Sequence, residues 1–215
     1  MSHLATTAKL FQERAGLDPQ RLERLVARAL ARADDGELFL EYRQSEGLVF
    51  DDGQVKTASF DVSQGFGLRS VAGEAAGYAH ASDLSEAAIE RAVATVEQVT
   101  RGHAGQVGEA PAGTNARLYS DDNPVSARPF ERKVKLLSDI DAYARARDPR
   151  VRQVTASLFG EWQAVEILRA GGERRADVRP LIRLNVAVIV GEGDRQESGS
   201  HGAGGRIALD LLFDP

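Results

Sequence analysis

The side chains that could do chemistry are few and scattered. Four histidines, His3, His80, His103 and His201, are the only imidazoles in 215 residues, and cysteine is absent. No two histidines stand at metal-ligand spacing, and without thiols there is no zinc finger, iron–sulfur site, disulfide scaffold or cysteine nucleophile. No serine sits in a Gly-x-Ser-x-Gly elbow, so no Ser-His-Asp set is identifiable. Asp51-Asp52 and Asp121-Asp122 are adjacent carboxylates in turn-forming stretches. Neighbours in sequence seldom converge on one substrate, so turn chemistry accounts for them.

Two glycine-rich stretches invite a closer look. Gly191-Glu192-Gly193 follows an apolar run, as a dinucleotide fingerprint would. The third glycine of that pattern falls at Gln196 and no apolar helix follows, so a tight hairpin is the better reading. The run Gly199-Ser200-His201-Gly202-Ala203-Gly204-Gly205 lacks the Gly-Lys-Ser/Thr ending of a phosphate-binding loop. Its small residues allow another backbone to come close. Gly199, His201, Gly202, Gly204 and Gly205, read as a loop, are therefore the candidate residues for contact with another chain's backbone. No residue qualifies as catalytic or as a metal ligand.

These residues must be held by an α+β fold, read as two antiparallel sheets of hairpins and meanders packed with three or four helices. A short leading helix carries Leu4, Ala8 and Phe11 and stops near Gly16. Asp18-Pro19 starts a second, with Leu22, Leu25, Val26, Ala29 and Leu30 on one face. Arg21, Arg24, Arg28 and Arg32 share the opposite face, where solvent is the expected partner. From Glu37 the period becomes two, and Asp52-Gly53 is a type I′ hairpin signal. A meander of four or five strands runs to Ala81. Asp83 or Ser85 then caps a helix that buries Ala88, Ile89, Ala92, Val93 and Val96. Pro129 opens a last helix with Phe130, Val134, Leu137, Ile140 and Ala144 inward and a Glu131–Lys135 pair outward. Strands 151–159 and 162–169, turned at Gly160-Glu161, lead to a Gly171-Gly172 turn. Pro180 breaks the next segment or lies on an edge. Domain organisation reads as 1–101, a linker or long loop over 102–128, and 129–215.

Composition bounds the partners. Lys+Arg number 27 and Asp+Glu 32, a net charge of −5, which argues against nucleic acid as the main partner. The start has no charged segment followed by an apolar one, and no apolar run approaches the ~20 residues of a membrane span. A cytoplasmic location is expected.

Several blocks in order resemble the amino-terminal portion of the TldD/PmbA family. They are Asp52–Lys56, Gln64–Arg69, Gly77–Asp83, Val151–Leu158, Ala176–Leu181 and Gly202–Arg206. Their order is closer to TldD than to its PmbA (TldE) partner, and the similarity runs from about Leu17 to Phe213. The resemblance implies a zinc metallopeptidase, also labelled a modulator of DNA gyrase, that acts as a TldD–TldE heterodimer on unfolded or extended peptides. In that family a His-Glu-x-x-x-His helix of the carboxy-terminal domain holds the zinc. No His-Glu pair occurs in this sequence. The expectation is thus a non-catalytic portion of a longer enzyme, inactive alone and needing no cofactor itself. Its implied tasks are peptide enclosure, with Gly199, His201, Gly202, Gly204 and Gly205 as substrate-binding residues beside the peptide channel, and pairing with a PmbA/TldE-like subunit, and the isolated piece is prone to self-association. The rival is a standalone protein-interaction module.

Overall fold

A computed structural model describes residues 2–105 and 119–213. The elements in order are α1 (His3–Ala8), continued as a π-helical turn over Lys9–Arg14, α2 (Pro19–Ala29), β1 (Asp35–Asp51), β2 (Gln54–Ala72), β3 (Ala75–Ala81), α3 (Glu86–Val99), α4 (Phe130–Arg147), β4 (Val151–Arg169), β5 (Arg174–Glu192) and β6 (Arg195–Gly205). The α+β class holds, but the two expected sheets are one six-stranded sheet of order β3-β2-β1-β4-β5-β6. β4 joins them by pairing antiparallel with β1: the Asp52 amide donates to the Val154 carbonyl at 3.1 Å, and Gln163 Nε2 donates to Glu41 Oε1 at 2.8 Å. Of the stretch read as a linker, residues 106–118 lie outside the described residues.

The meander has three strands rather than four or five. β1 and β2 run 17 and 19 residues without a break, so Ser45-Glu46-Gly47 and Val62-Ser63-Gln64 are strand and not turn. Their junction is as expected: Asp52 (φ 50°) and Gly53 (φ 84°) both take the left-handed conformation that a type I′ turn demands. Gly160-Glu161 likewise lies inside the continuous β4, whereas Gly171 (φ 79°) and Gly172 (φ 81°) do turn the chain. Pro180 sits in β5 beyond Ile182, the last residue paired through Gly205, so its missing N–H falls where β6 has ended.

The chain forms two contact units. The first comprises residues 2–43, 63–105 and 163–178. Here Leu38, Leu40 and Tyr42 of β1 alternate inward with Phe66, Leu68 and Ala72 of β2. Asp18 caps α2 by accepting from the Arg21 amide at 2.6 Å, and Ser85 caps α3 by accepting from Ala88 at 3.2 Å. Two of the four arginines meet acid rather than water alone: Arg21 pairs with Glu86 and Glu90, and Arg28 with Glu90 and Glu97, across the α2–α3 seam. Gly77 is where α3 lies on β3, because a Cβ there would stand 3.1 Å from Val96 Cα. Glu166, buried, accepts from Thr7 Oγ1 and Arg174 Nη1 at 2.5 Å each, tying α1 to the sheet.

The second unit comprises residues 44–62, 119–162 and 179–213. α4 lays Leu137 on Leu48, Phe50, Ala156, Leu158 and Ile182, with Val134 and Ile140 at the margin. The expected helix face is rotated at its start. Phe130 is 43 % exposed, and Lys133, 1 % exposed, takes the inward place. Its ammonium donates to Glu46 and, at 2.6 Å, to the Val125 carbonyl. Lys135 pairs with Asp139 instead of Glu131.

Candidate functional site

The glycine run is a strand, not a loop. All of Gly199–Gly205 belongs to β6, the outermost strand beyond β5, and pairs antiparallel from Ile182↔Gly205 to Glu192↔Arg195. Gly193 (φ 60°) turns the hairpin, as the Gly-x-Gly reading required. Within β6 the five candidate residues have different local needs. A side chain at Gly204 would land on the Ile182 carbonyl oxygen, so the hairpin demands that glycine, whereas one at Gly202 would meet only the movable ends of Asn185 and Arg183. Gly199 faces open space, and His201, opposite Val186, is exposed. Among the described residues, therefore, β6 offers a nearly bare backbone edge with no second strand on its outer side.

Such an edge is unusual, since exposed edges are normally blunted by proline, bulges or inward charges. β6 keeps its charges, Arg195 and Glu197, at one end, where they pair with each other at 2.9 Å. Extended chains add to edges of this kind through main-chain hydrogen bonds.

The second feature escaped the sequence reading. In the first unit a cleft of about 350 Å³ opens on the sheet surface, lined among others by Phe39, Glu41, Arg43, Gly65, Tyr78 and His80. The Arg43–Ser63 and Arg69–Glu37 hydrogen bonds fix the β1/β2 register, which sets Phe39 beside Gly67 and Glu41 beside Gly65. On the other side His80 is paired with Gly67 and Tyr78 with Arg69. The Tyr78 and His80 rings stand 5.6 Å apart, and the Tyr78 hydroxyl lies 2.8 Å from where a Gly67 Cβ would be. Period-two patterning marks this face as polar and says nothing of a concavity. The signal was the pair of glycines two apart in a strand, opposite aromatic residues.

Other charged groups are spoken for. Arg69 joins Glu37 and Asp35, and Arg169 also reaches Asp35, which holds the Asp35 carboxyl below its ordinary value. Asp51 accepts from Lys56, Gln153 and Thr155 at 2.7–2.9 Å, and these donors, Lys56 foremost, lower its pKa. Asp121, in the other paired carboxylate, uses its carbonyl to receive Trp162 Nε1 at 3.2 Å. Among the described residues no three His, Asp or Glu side chains gather in a way that would hold a metal, and no helix is long and apolar enough to cross a membrane.

Comparison with known proteins adds the kinship. The family described as PmbA/TldA metallopeptidase matches in two parts, its domain 1 at residues 36–100 and its central domain at 123–214. A metalloprotease TldD homolog of Haemophilus influenzae is 35 % identical over 185 residues, covering 84 % of this chain and 38 % of that protein. A metalloprotease TldD homolog of Buchnera aphidicola is 28 % identical over 181 residues, again 84 % of this chain and 38 % of the relative. The chain thus spans under half the length of these relatives. Among solved structures, TldE of Thermococcus kodakarensis superposes with a TM-score of 0.70 at 12 % identity, over 86 % of this chain and 43 % of that one. A proposed modulator of DNA gyrase from Bacteroides thetaiotaomicron gives 0.70 at 14 % identity, over 89 % and 45 %. At such identities the superpositions establish the shared fold.

Proposed function

Because the chain belongs to the PmbA/TldD metallopeptidase family and carries its first and central domains, we propose that it is the non-catalytic portion of a cytoplasmic TldD-type zinc peptidase. It encloses extended peptide substrate and pairs with a PmbA/TldE-like subunit. The observation that carries this reading is β6, an exposed sheet edge whose 198–205 stretch carries one large side chain, His201.

An extended peptide aligned on β6 satisfies its own main-chain groups against the strand and presents every second side chain to each face. Because the 198–205 stretch of β6 contributes glycine, serine, alanine and a single histidine at the contact, it discriminates little among those side chains. Indifference to sequence suits a peptidase that acts on unfolded segments. Zinc in the family supplies an activated water for hydrolysis. The described residues of this chain do not fit a zinc site, so their part is to bind and orient.

A proline scan tests the edge. Substituting Ser198, Gly199, Ser200 and His201 in turn removes one N–H at a time, and successive N–H groups point to opposite sides of the strand. Prolines on the β5 side should lower the melting temperature. Those on the outer side should leave it unchanged while abolishing binding of a fluorescent extended peptide, read by anisotropy. Loss of binding that merely follows loss of stability, or no loss at all, would refute the proposal.

A further inference from the structure

The cleft of the first unit opens over Gly65. Gly65 and Gly67 leave β2 without side chains between those of β1 and β3. Side chains on strands two apart stand about 9.5 Å from each other, twice the strand spacing. A planar ring set upright between them lies about 4.8 Å from each, enough room for one flat group. Gly67 is already covered by Tyr78, whereas nothing aromatic stands over Gly65, where a Cβ would meet only the Ala81 and Ser82 backbone. By the register, Glu41 on β1 and Ser82 next to β3 flank Gly65, Phe39 and His80 stand one pair along beside Gly67, and the Tyr78 ring over Gly67 is the aromatic surface that a ring over Gly65 would meet. Tyr78, 63 % exposed, makes no hydrogen bond through its hydroxyl among the described residues, and neither does His80 through its ring. At this point on the sheet β2 is paired on both sides, so no backbone edge is on offer. Recognition must come from side-chain stacking.

We infer that this slot binds a single aromatic side chain of an extended polypeptide. The inference rests on the reading that the chain handles such peptides, and it adds a selective contact to the indiscriminate edge. The half-buried Glu41 carboxylate and the free phenol and imidazole supply polar partners for an indole N–H or a phenol at the rim.

The test is ligand-observed saturation-transfer NMR on the full chain with N-acetyl-tryptophanamide, N-acetyl-leucinamide and N-acetyl-argininamide. The tryptophan amide should receive saturation and the leucine amide should not. Tyr78→Ala, an exposed change, should weaken tryptophan-amide binding about three- to tenfold, the loss of one aromatic pair. Ser82→Trp, which fills the slot from its rim and removes no wall, should abolish it. Equal binding of the leucine amide, preference for the arginine amide, or an unchanged Tyr78→Ala would overturn the inference. The β6 prolines should leave amide binding intact, so slot and edge can fail separately; loss in those variants would also count against the slot.

Discussion

Lys133 sits on the inward side of α4 because its ammonium has two fixed acceptors, Glu46 and the Val125 carbonyl. Desolvating an ammonium is expensive, and only such partners make it tolerable. Removing one member should therefore hurt more than removing both. Glu46→Leu alone should cost about 3–5 kcal/mol, because a buried charge is left unpaired, whereas Glu46→Leu with Lys133→Met should fall within about 1–2 kcal/mol of the parent or above it. Urea midpoints of the two variants decide the matter. Asp51 makes a different, pH-dependent contribution. Its pKa lies below the ordinary 3.8 in the folded chain, through Lys56, Gln153 and Thr155. The folded state thus holds the proton less tightly than the unfolded one, and the stabilisation is complete above the unfolded value. It is lost as pH falls through the lowered folded value. Melting curves of the parent and Asp51→Asn should differ by a constant amount from pH 6 to 8 and begin to converge only as the pH falls below about 4.

At the scale of elements, close approach is set by missing side chains. α3 rests on β3 at Gly77, where Val96 leaves 3.1 Å for a Cβ. Gly77→Ala should push the helix outward and cost about 1–3 kcal/mol, while the neighbouring exposed Ala76→Ser should be silent; thermal unfolding of both separates local crowding from general sensitivity. Gly53 is needed for a different reason: nothing crowds it, but at φ 84° its change to alanine should cost about 1 kcal/mol or more. Caps, turns and helix faces of this kind were legible in the sequence, because Asp18-Pro19, Ser85 and Asp52-Gly53 act through local hydrogen bonds and backbone preference. The strand count was not. Gly160 and Ser45-Glu46-Gly47 look like turns, yet long ladders on both sides hold them extended, which is a tertiary effect. The same holds for Gly199–Gly205, which reads as loop until β5 is placed beside it. Lys133 misled for the converse reason, since its partner Glu46 lies 87 positions away. The aromatic slot needed the register of three strands before its two glycines could mean anything.

At the scale of the whole molecule, the chain spans 38 % of the length of its Haemophilus influenzae relative, so binding and hydrolysis can be asked about separately. In the proposed division of labour the edge and the slot hold peptide through backbone pairing and stacking, neither of which activates water. If that division of labour is right, the 215-residue chain should retain an extended, aromatic-containing peptide on a spin column yet leave a quenched fluorogenic version of it uncut, with or without added zinc. Adding the chain in excess to an intact TldD–TldE enzyme should then slow turnover, because it sequesters peptide and competes for the partner subunit. The two causes separate when substrate is varied: sequestration raises the apparent KM and is relieved by more peptide, whereas displacement of a subunit lowers kcat and is not. Turnover by the isolated chain that rises in proportion to bound zinc would place hydrolytic chemistry on these residues and remove the basis for a purely binding role.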